Sequence, residues 1–183
     1  MILPTKLSLL KYAAINGIIA PHGITDIIHA QQNNLFGPLF TINGVTILSS
    51  VVLEKLYLNN ILDVSFILSS IIHFRRDFPE NKLIPRYLFS SVLLFISIFY
   101  NPNILFFYML FIHVPNHYRL NWKYLKNKKI QTISILSLST TLFLIMGNEL
   151  NFLTITPLVK SIIISHIIYE ETFVYTSTTY KNM

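Results

Sequence analysis

Long apolar blocks separated by short polar breaks run along the chain. The blocks predict seven helices, and several approach the roughly 20 residues that a helix needs to cross a bilayer. The second is the weakest, because Asn43 and Gly44 interrupt its apolar run. The fold class predicted is an all-α polytopic membrane bundle of about six to seven transmembrane helices. The predicted helices cover residues 5–29, 36–54, 59–75, 83–100, 103–119, 130–147 and 153–174.

The composition supports the membrane interpretation. Of the 183 residues, 52% are hydrophobic and only 12% are charged, against roughly 25% charged in a typical soluble domain. This charge density is too low to coat a water-soluble globule of this size. No Gly/Ser-rich or Pro-rich linker divides the chain, so residues 1–183 are predicted to form one domain. The chain has no cysteine, which excludes disulfides, zinc fingers and thiol catalysis.

The net charge of +6 is concentrated in two loops between apolar blocks. The basic residues after the third and fifth helices are Arg75, Arg76, Lys82 and Arg86, then Arg119, Lys123, Lys126, Lys128 and Lys129. Cytoplasmic loops carry such excess, so the odd-numbered helices should end in the cytoplasm and the N-terminus should lie outside. A nucleic-acid-binding protein would instead present a basic face on a soluble domain. The chain is therefore predicted to contact membrane lipids and not to bind nucleic acid.

Histidine is the residue type that carries candidate chemistry. Four stretches place a histidine four residues before a second ligating or orienting group: His22 and Asp26, His73 and Asp77, His113 and His117, and His166 and Glu170. Residues with this spacing share one face of an α-helix. The stretches occupy the C-terminal parts of helices one, three, five and seven, so the predicted orientation puts them all at one depth, toward the cytoplasmic side.

Ionisable side chains inside a membrane are costly and usually face the bundle interior, where they serve a function. Neutral imidazole suits iron, zinc, copper or nickel, and a ligating histidine usually donates its other N–H to a carboxylate. Asp26, Asp77 and Glu170 could orient histidines in this way or ligate directly, although Asp77 could equally pair with a neighbouring arginine. His29 is interpreted as a hydrogen-bonded or interfacial residue outside the ligand set.

Two prolines predict where the helices deform. Pro21 precedes His22, and Pro115 lies between His113 and His117. Proline removes a backbone donor and clashes with the carbonyl four residues earlier. Membrane proteins tolerate the resulting kink where it lines a cavity. A metal and a substrate would be expected in such a cavity.

These motifs resemble a known family. The Pro21–Asp26, Ser70–Asp77 and Phe111–Arg119 segments, and Ser165-His166 followed by Glu170, are similar to segments of the microbial membrane β-carotene dioxygenases (the Brp/Blh family). The resemblance implies O₂-dependent central cleavage of membrane-dissolved β-carotene to two retinals, and a functional link to a retinal-binding rhodopsin. The cofactor implied is a non-haem Fe(2+). Its implied catalytic ligands are His22, His73, His113 and His117, with His166 as a further candidate.

Three other functions compete with this interpretation. A microbial rhodopsin would use Lys160, but this lysine lies near the start of the seventh helix and the chain has a single Trp. A di-iron membrane desaturase or hydroxylase would need several histidine boxes, and only one HxxxH occurs. A non-enzymatic transporter or metal carrier would bind metal without consuming oxygen.

Overall fold

The computed structural model describes residues 11, 13–78, 82–126, 129–146 and 157–175. Every regular element within these residues is helical and none is a strand, so the predicted all-α fold is confirmed. The α-helices among them, α1 to α8, are Thr25–Asn33, Phe36–Lys55, Asn59–Phe74, Leu83–Phe99, Pro102–Tyr108, Val114–Leu125, Lys129–Met146 and Pro157–Tyr169. Several of these helices begin or end at the polar residues and prolines that predicted the breaks between helices.

Asparagine sets two of these boundaries. Asn34 closes α1 in the left-handed conformation (φ 56°), which asparagine tolerates better than most residues. Asn101 caps α5, since its side chain accepts a hydrogen bond from the backbone N–H of Asn103. Pro102 then occupies the first turn, where a missing N–H costs nothing.

The predicted second helix, residues 36–54, is confirmed although Asn43 and Gly44 interrupt its apolar run. α2 runs unbroken through Asn43 and Gly44. The Asn43 amide donates to the Leu39 carbonyl at 2.9 Å and accepts from the Ser165 hydroxyl of α8 at 2.7 Å. The polar group is therefore satisfied by its own helix and a neighbour, and it has no need to break the backbone.

α2 is the helix, among the described residues, that is long and apolar enough to cross a membrane. It has 20 residues, and only 11% of its most apolar window is buried. α4 is apolar but shorter, at 17 residues.

Three of the predicted helices change type along their length. The first passes from a π-helix (Ile15–Ile19) through a 3-10 helix (Ala20–Ile24) into α1, and residues 1–10 and 12 of its region lie outside the described part. A 3-10 turn (Arg75–Asp77) follows α3, and a π-helix (Glu170–Tyr175) follows α8. These irregular segments matter because all of them adjoin or contain the candidate histidines.

The fifth predicted helix is likewise composite. α5 continues through a π-helix (Met109–His113) into α6, which ends at Leu125 and not at the predicted residue 119. Pro115 explains the π-helix, because it cannot donate to Phe111 and its ring clashes with that carbonyl.

The packing brings these irregular segments together. α8 packs against α2 and α3, α1 packs against α2 and α6, and the N-terminal 3-10 and π segments pack against α7. The core is divided into separate apolar clusters: one around Tyr169, one around Phe74 and Leu94, and one around Phe66. The histidines lie among buried residues where these helices meet.

Candidate metal centre

Five histidines from four separate parts of the chain form one cluster. They are His22 in the 3-10 helix, His73 at the end of α3, His113 in the π-helix, His117 in α6 and His166 in α8. The ring centroid of His22 lies 4.9 Å from that of His117 and 5.3 Å from that of His166. The His73 centroid lies 4.8 Å from that of His113. Rings bound through nitrogen to one ion at about 2.1 Å would have centroids roughly 5 Å apart, so this spacing fits a shared metal.

The cluster offers ring nitrogens with nothing else to bind. His73, His113 and His117 are at most 4% exposed. Both nitrogens of His73, and Nε2 of His113 and of His166, are buried without a hydrogen-bond partner among the described residues. A buried polar atom left unsatisfied costs about 1–3 kcal/mol. A metal ion would satisfy these nitrogens, so the residues fit the predicted kind of cofactor.

Overlapping sets of three groups have ligand atoms within 4.8 Å of one another. The sets are His22, His73 and His113; His22, His117 and His166; and His73, His166 and Glu170. The structure therefore brings together all five histidines named from the sequence, and of the three carboxylates named with them it places Glu170 within ligating reach.

The carboxylates contact different histidines from those that the spacing predicted. Asp26 accepts from Nδ1 of His166 at 2.8 Å, and Asp77 accepts from Nδ1 of His113 at 2.8 Å. Glu170 lies 2.5 Å from Nε2 of His117. Each described hydrogen bond between a histidine and a carboxylate thus joins two elements that are distant in sequence. The predicted orientation of a histidine by the carboxylate of its own stretch is therefore wrong, while the alternative of direct ligation by the carboxylates stays a prediction.

The change of helix type explains this error. His22 lies in a 3-10 helix and Asp26 in α1, while His166 lies in α8 and Glu170 in a π-helix. Residues four apart share a face only in a continuous α-helix, since the 3-10 and π forms turn by different angles per residue. The carboxylates therefore hydrogen-bond to histidines of other elements, although His166 and Glu170 keep ligand atoms within 4.8 Å of one another.

The hydrogen bonds to Asp26 and Asp77 fix the orientation of His166 and His113. A ring that donates from Nδ1 to a carboxylate presents Nε2 as the ligand, and Nε2 is the unpartnered nitrogen in both His113 and His166. Burial raises the pKa of the Asp77 carboxyl. The hydrogen bonds from His113, Tyr108 and Asn116 outweigh burial, so its pKa lies below the usual value. Asp77 is therefore an ionised acceptor for the imidazole.

The arginines beside Asp77 pair elsewhere. Arg75 binds Glu171 at 3.0 Å, and Arg76 binds Glu170 at 3.1 Å and also contacts Glu171. The alternative in which Asp77 pairs with a neighbouring arginine is therefore not what the structure has. These ion pairs fasten the end of α3 to the segment after α8.

Sequence reasoning missed three groups at the site. Asn121 lies four residues after His117, and its amide nitrogen is 3.4 Å from Nδ1 of that ring and 3.4 Å from Glu170. The spacing of four residues could have predicted this contact. Glu171 follows Glu170 directly. Tyr108 donates to Asp77 from a position that no motif marks.

His29 and Lys160 have partners outside the ligand sets. His29 is hydrogen-bonded to the Tyr169 hydroxyl at 2.9 Å, which agrees with its interpretation as a hydrogen-bonded residue. Lys160 pairs with Asp63 of α3 at 2.5 Å. It precedes His166 by six residues, about 9 Å along a helix.

A small cavity adjoins the cluster. Its volume is about 10 Å³, which is close to the space that one water molecule requires. The residues that line it are His73, Arg76, Asp77, His113, His117, Leu120, Glu170 and Tyr175. A single water-sized ligand could therefore sit beside a metal held by these histidines.

The fold and the site define a class of protein: an all-helical chain with a buried polyhistidine centre that carboxylates orient. No protein-family model, no curated protein and no solved structure matches the chain.

Proposed function

We propose that this chain is an integral membrane dioxygenase that binds ferrous iron and cleaves β-carotene centrally to two retinals. The observation that carries the proposal is the convergence of five histidines, three of which (His73, His113 and His166) have buried ring nitrogens without a hydrogen-bond partner among the described residues. Imidazole is a suitable ligand for iron, and hydrogen bonds to carboxylates support metal-binding histidines. The family resemblance of the segments that carry these histidines supplies the substrate.

The exterior of the helices supports a membrane location. Phe40 and Leu48 of α2 are 69% and 65% exposed, and Ile84 at the start of α4 is 81% exposed. Large exposed apolar patches mark contact with lipid or with another protein. In this proposal α2 and the other apolar helices face hydrocarbon. The basic loops put the N-terminus outside and the metal centre toward the cytoplasmic side.

The residues of the chain have separable tasks in the proposed reaction. Iron, when bound, supplies the activation of O₂. The histidines hold it, Asp26 and Asp77 fix two ring orientations, and burial keeps bulk water away. The cavity beside His73 has about the room of one water molecule, so O₂ would bind there only if the side chains around it moved. The central double bond of the carotenoid breaks, and each of its carbons takes one atom of O₂, so no external reductant is needed.

The substrate would reach the centre from the bilayer. A carotenoid dissolves in lipid, and the surroundings of the histidines include apolar groups such as Phe74, whose ring centroid lies 5.0 Å from that of His113, and Leu120, which lines the cavity. Lateral entry between helices fits this chemistry. The retinal released would be available to a retinal-binding rhodopsin in the same membrane.

The test is expression in a bacterium that produces β-carotene. We expect the orange colour to fade and retinal to appear, with oxygen consumed only when iron is present. Lys160→Ala should retain cleavage, because this lysine pairs with Asp63 and not with the histidines. Loss of visible absorption in Lys160→Ala would indicate a rhodopsin, and iron binding without retinal formation would indicate a metal carrier.

A further inference from the structure

The charged groups around the histidines form a network that can be defined by contacts. Three carboxylates touch histidines: Asp26, Asp77 and Glu170. Glu170 and Glu171 in turn pair with Arg75 and Arg76. Four carboxylates and two guanidinium groups thus belong to the network. With neutral histidines, it carries two negative charges.

Burial makes this net charge important. The side chains of Asp26, Asp77, Glu170 and Arg76 are at most 7% exposed, whereas those of Arg75 and Glu171 are about one-fifth exposed. An uncompensated charge in such surroundings is costly, and a charge held nearby is poorly screened. A doubly charged cation among the histidines would neutralise the network without any further anion.

We propose that Arg76, assisted by Arg75, is the residue that selects the charge of the metal. Without the guanidinium groups the carboxylates would carry four negative charges and would favour a more highly charged ion. With them the centre matches a divalent ion together with a neutral small molecule in the cavity. The inference rests on the proposed metal site and adds a determinant of which oxidation state that site holds.

The structure gives Arg76 the better position for this role. Arg76 lines the cavity beside His73 and pairs with Glu170, the carboxylate that also contacts His117. Arg75 contacts Glu171 and is more exposed. A charge removed at position 76 should therefore affect a metal more strongly than a charge removed at position 75.

The test is the midpoint potential of iron bound to the purified full-length chain. Arg76→Gln removes a positive charge, so the ferric form should be stabilised and the potential should fall. Glu171→Gln removes a negative charge, so the potential should rise. The double variant Arg75→Gln/Glu171→Gln keeps the net charge and should return close to wild type. Lys82→Gln, an exposed basic residue of the same loop, is the control and should not shift the potential.

A purely structural role would not give opposite signs. Shifts in the same direction for Arg76→Gln and Glu171→Gln, or no shift in either, would overturn the proposal. If Arg76→Gln does not fold, the more exposed Arg75→Gln and Glu171→Gln carry the same test. Competition between Ga³⁺ and Zn²⁺ gives a second readout, because Arg75→Gln should move the preference toward gallium and Glu171→Gln should move it toward zinc.

This experiment uses neither carotenoid nor oxygen turnover, so it separates the two proposals. The expected potentials in a protein that forms no retinal would overturn the proposed reaction and support the charge selection. Retinal formation with midpoint potentials that do not follow the charges of the variants would support the proposed reaction and overturn the charge selection. A wild-type chain that binds no divalent ion would overturn both.

Discussion

At the residue scale, His73 and His29 are both buried but have different surroundings. The difference distinguishes a candidate metal ligand from a packing residue. Neither nitrogen of His73 has a hydrogen-bond partner among the described residues. His29 is hydrogen-bonded to the Tyr169 hydroxyl and packs edge-on against Tyr124. Replacing His73 leaves no hydrogen-bond partner unsatisfied. Replacing His29 removes a hydrogen bond from the buried Tyr169 hydroxyl, and an unsatisfied buried group costs about 1–3 kcal/mol.

We therefore expect opposite effects from the matched variants His73→Ala and His29→Ala. His73→Ala should lose metal binding, while the stability of the metal-free protein should change little. His29→Ala should keep one metal per chain and unfold at a lower temperature. Metal content after dialysis and thermal unfolding of the metal-free form check both. A metal-binding His73→Ala variant would remove His73 from the ligand set.

At the scale of the element, changes of helix type position the ligands. The π-helix before Pro115 places His113 where its Nδ1 meets Asp77, while His117 in α6 meets Glu170. A continuous α-helix would put both rings on one face. The irregular backbone therefore lets one helix supply two ligands that have different carboxylate partners.

Pro115→Ala tests this arrangement. Alanine restores the missing donor and removes the ring clash. A proline in a helix interior costs about 3 kcal/mol or more, so the metal-free protein should become more stable. The helix should straighten and metal affinity should fall. Pro102→Ala is the control, because Pro102 begins α5 at a tolerated position. Stability would be followed by thermal unfolding and affinity by chelator competition; unchanged affinity in Pro115→Ala would show that the π-helix is not needed.

The helices also show which features of the site could be predicted from the sequence. The set of five histidines could be predicted, because polar residues stand out in apolar helices and must face the interior. The carboxylate partners could not, because the i,i+4 rule assumes α geometry and the helix type changes between His22 and Asp26 and again between His166 and Glu170. The partner of Asn43 could not be predicted for a related reason, because Ser165 is distant in sequence.

At the scale of the whole molecule, the orientation of the proposed bundle is open to direct measurement. A reporter fused after residue 128 should be cytoplasmic and one inserted at Pro102 should be external, because basic residues surround the first position and none adjoins the second. Protease protection or a compartment-specific reporter enzyme would measure both. The reverse result would place the metal centre near the external side.

The spread of the ligands along the chain has a consequence for biogenesis. The candidate ligands extend from His22 to Glu170. A nascent chain cannot present the complete set until residue 170 has been synthesised, so a metal held by the whole set would bind only after that segment has emerged. The earlier histidines would remain without metal until then. Because metal binding and folding are coupled in such sites, synthesis of the segment around Glu170 would be the step that allows the proposed centre to form.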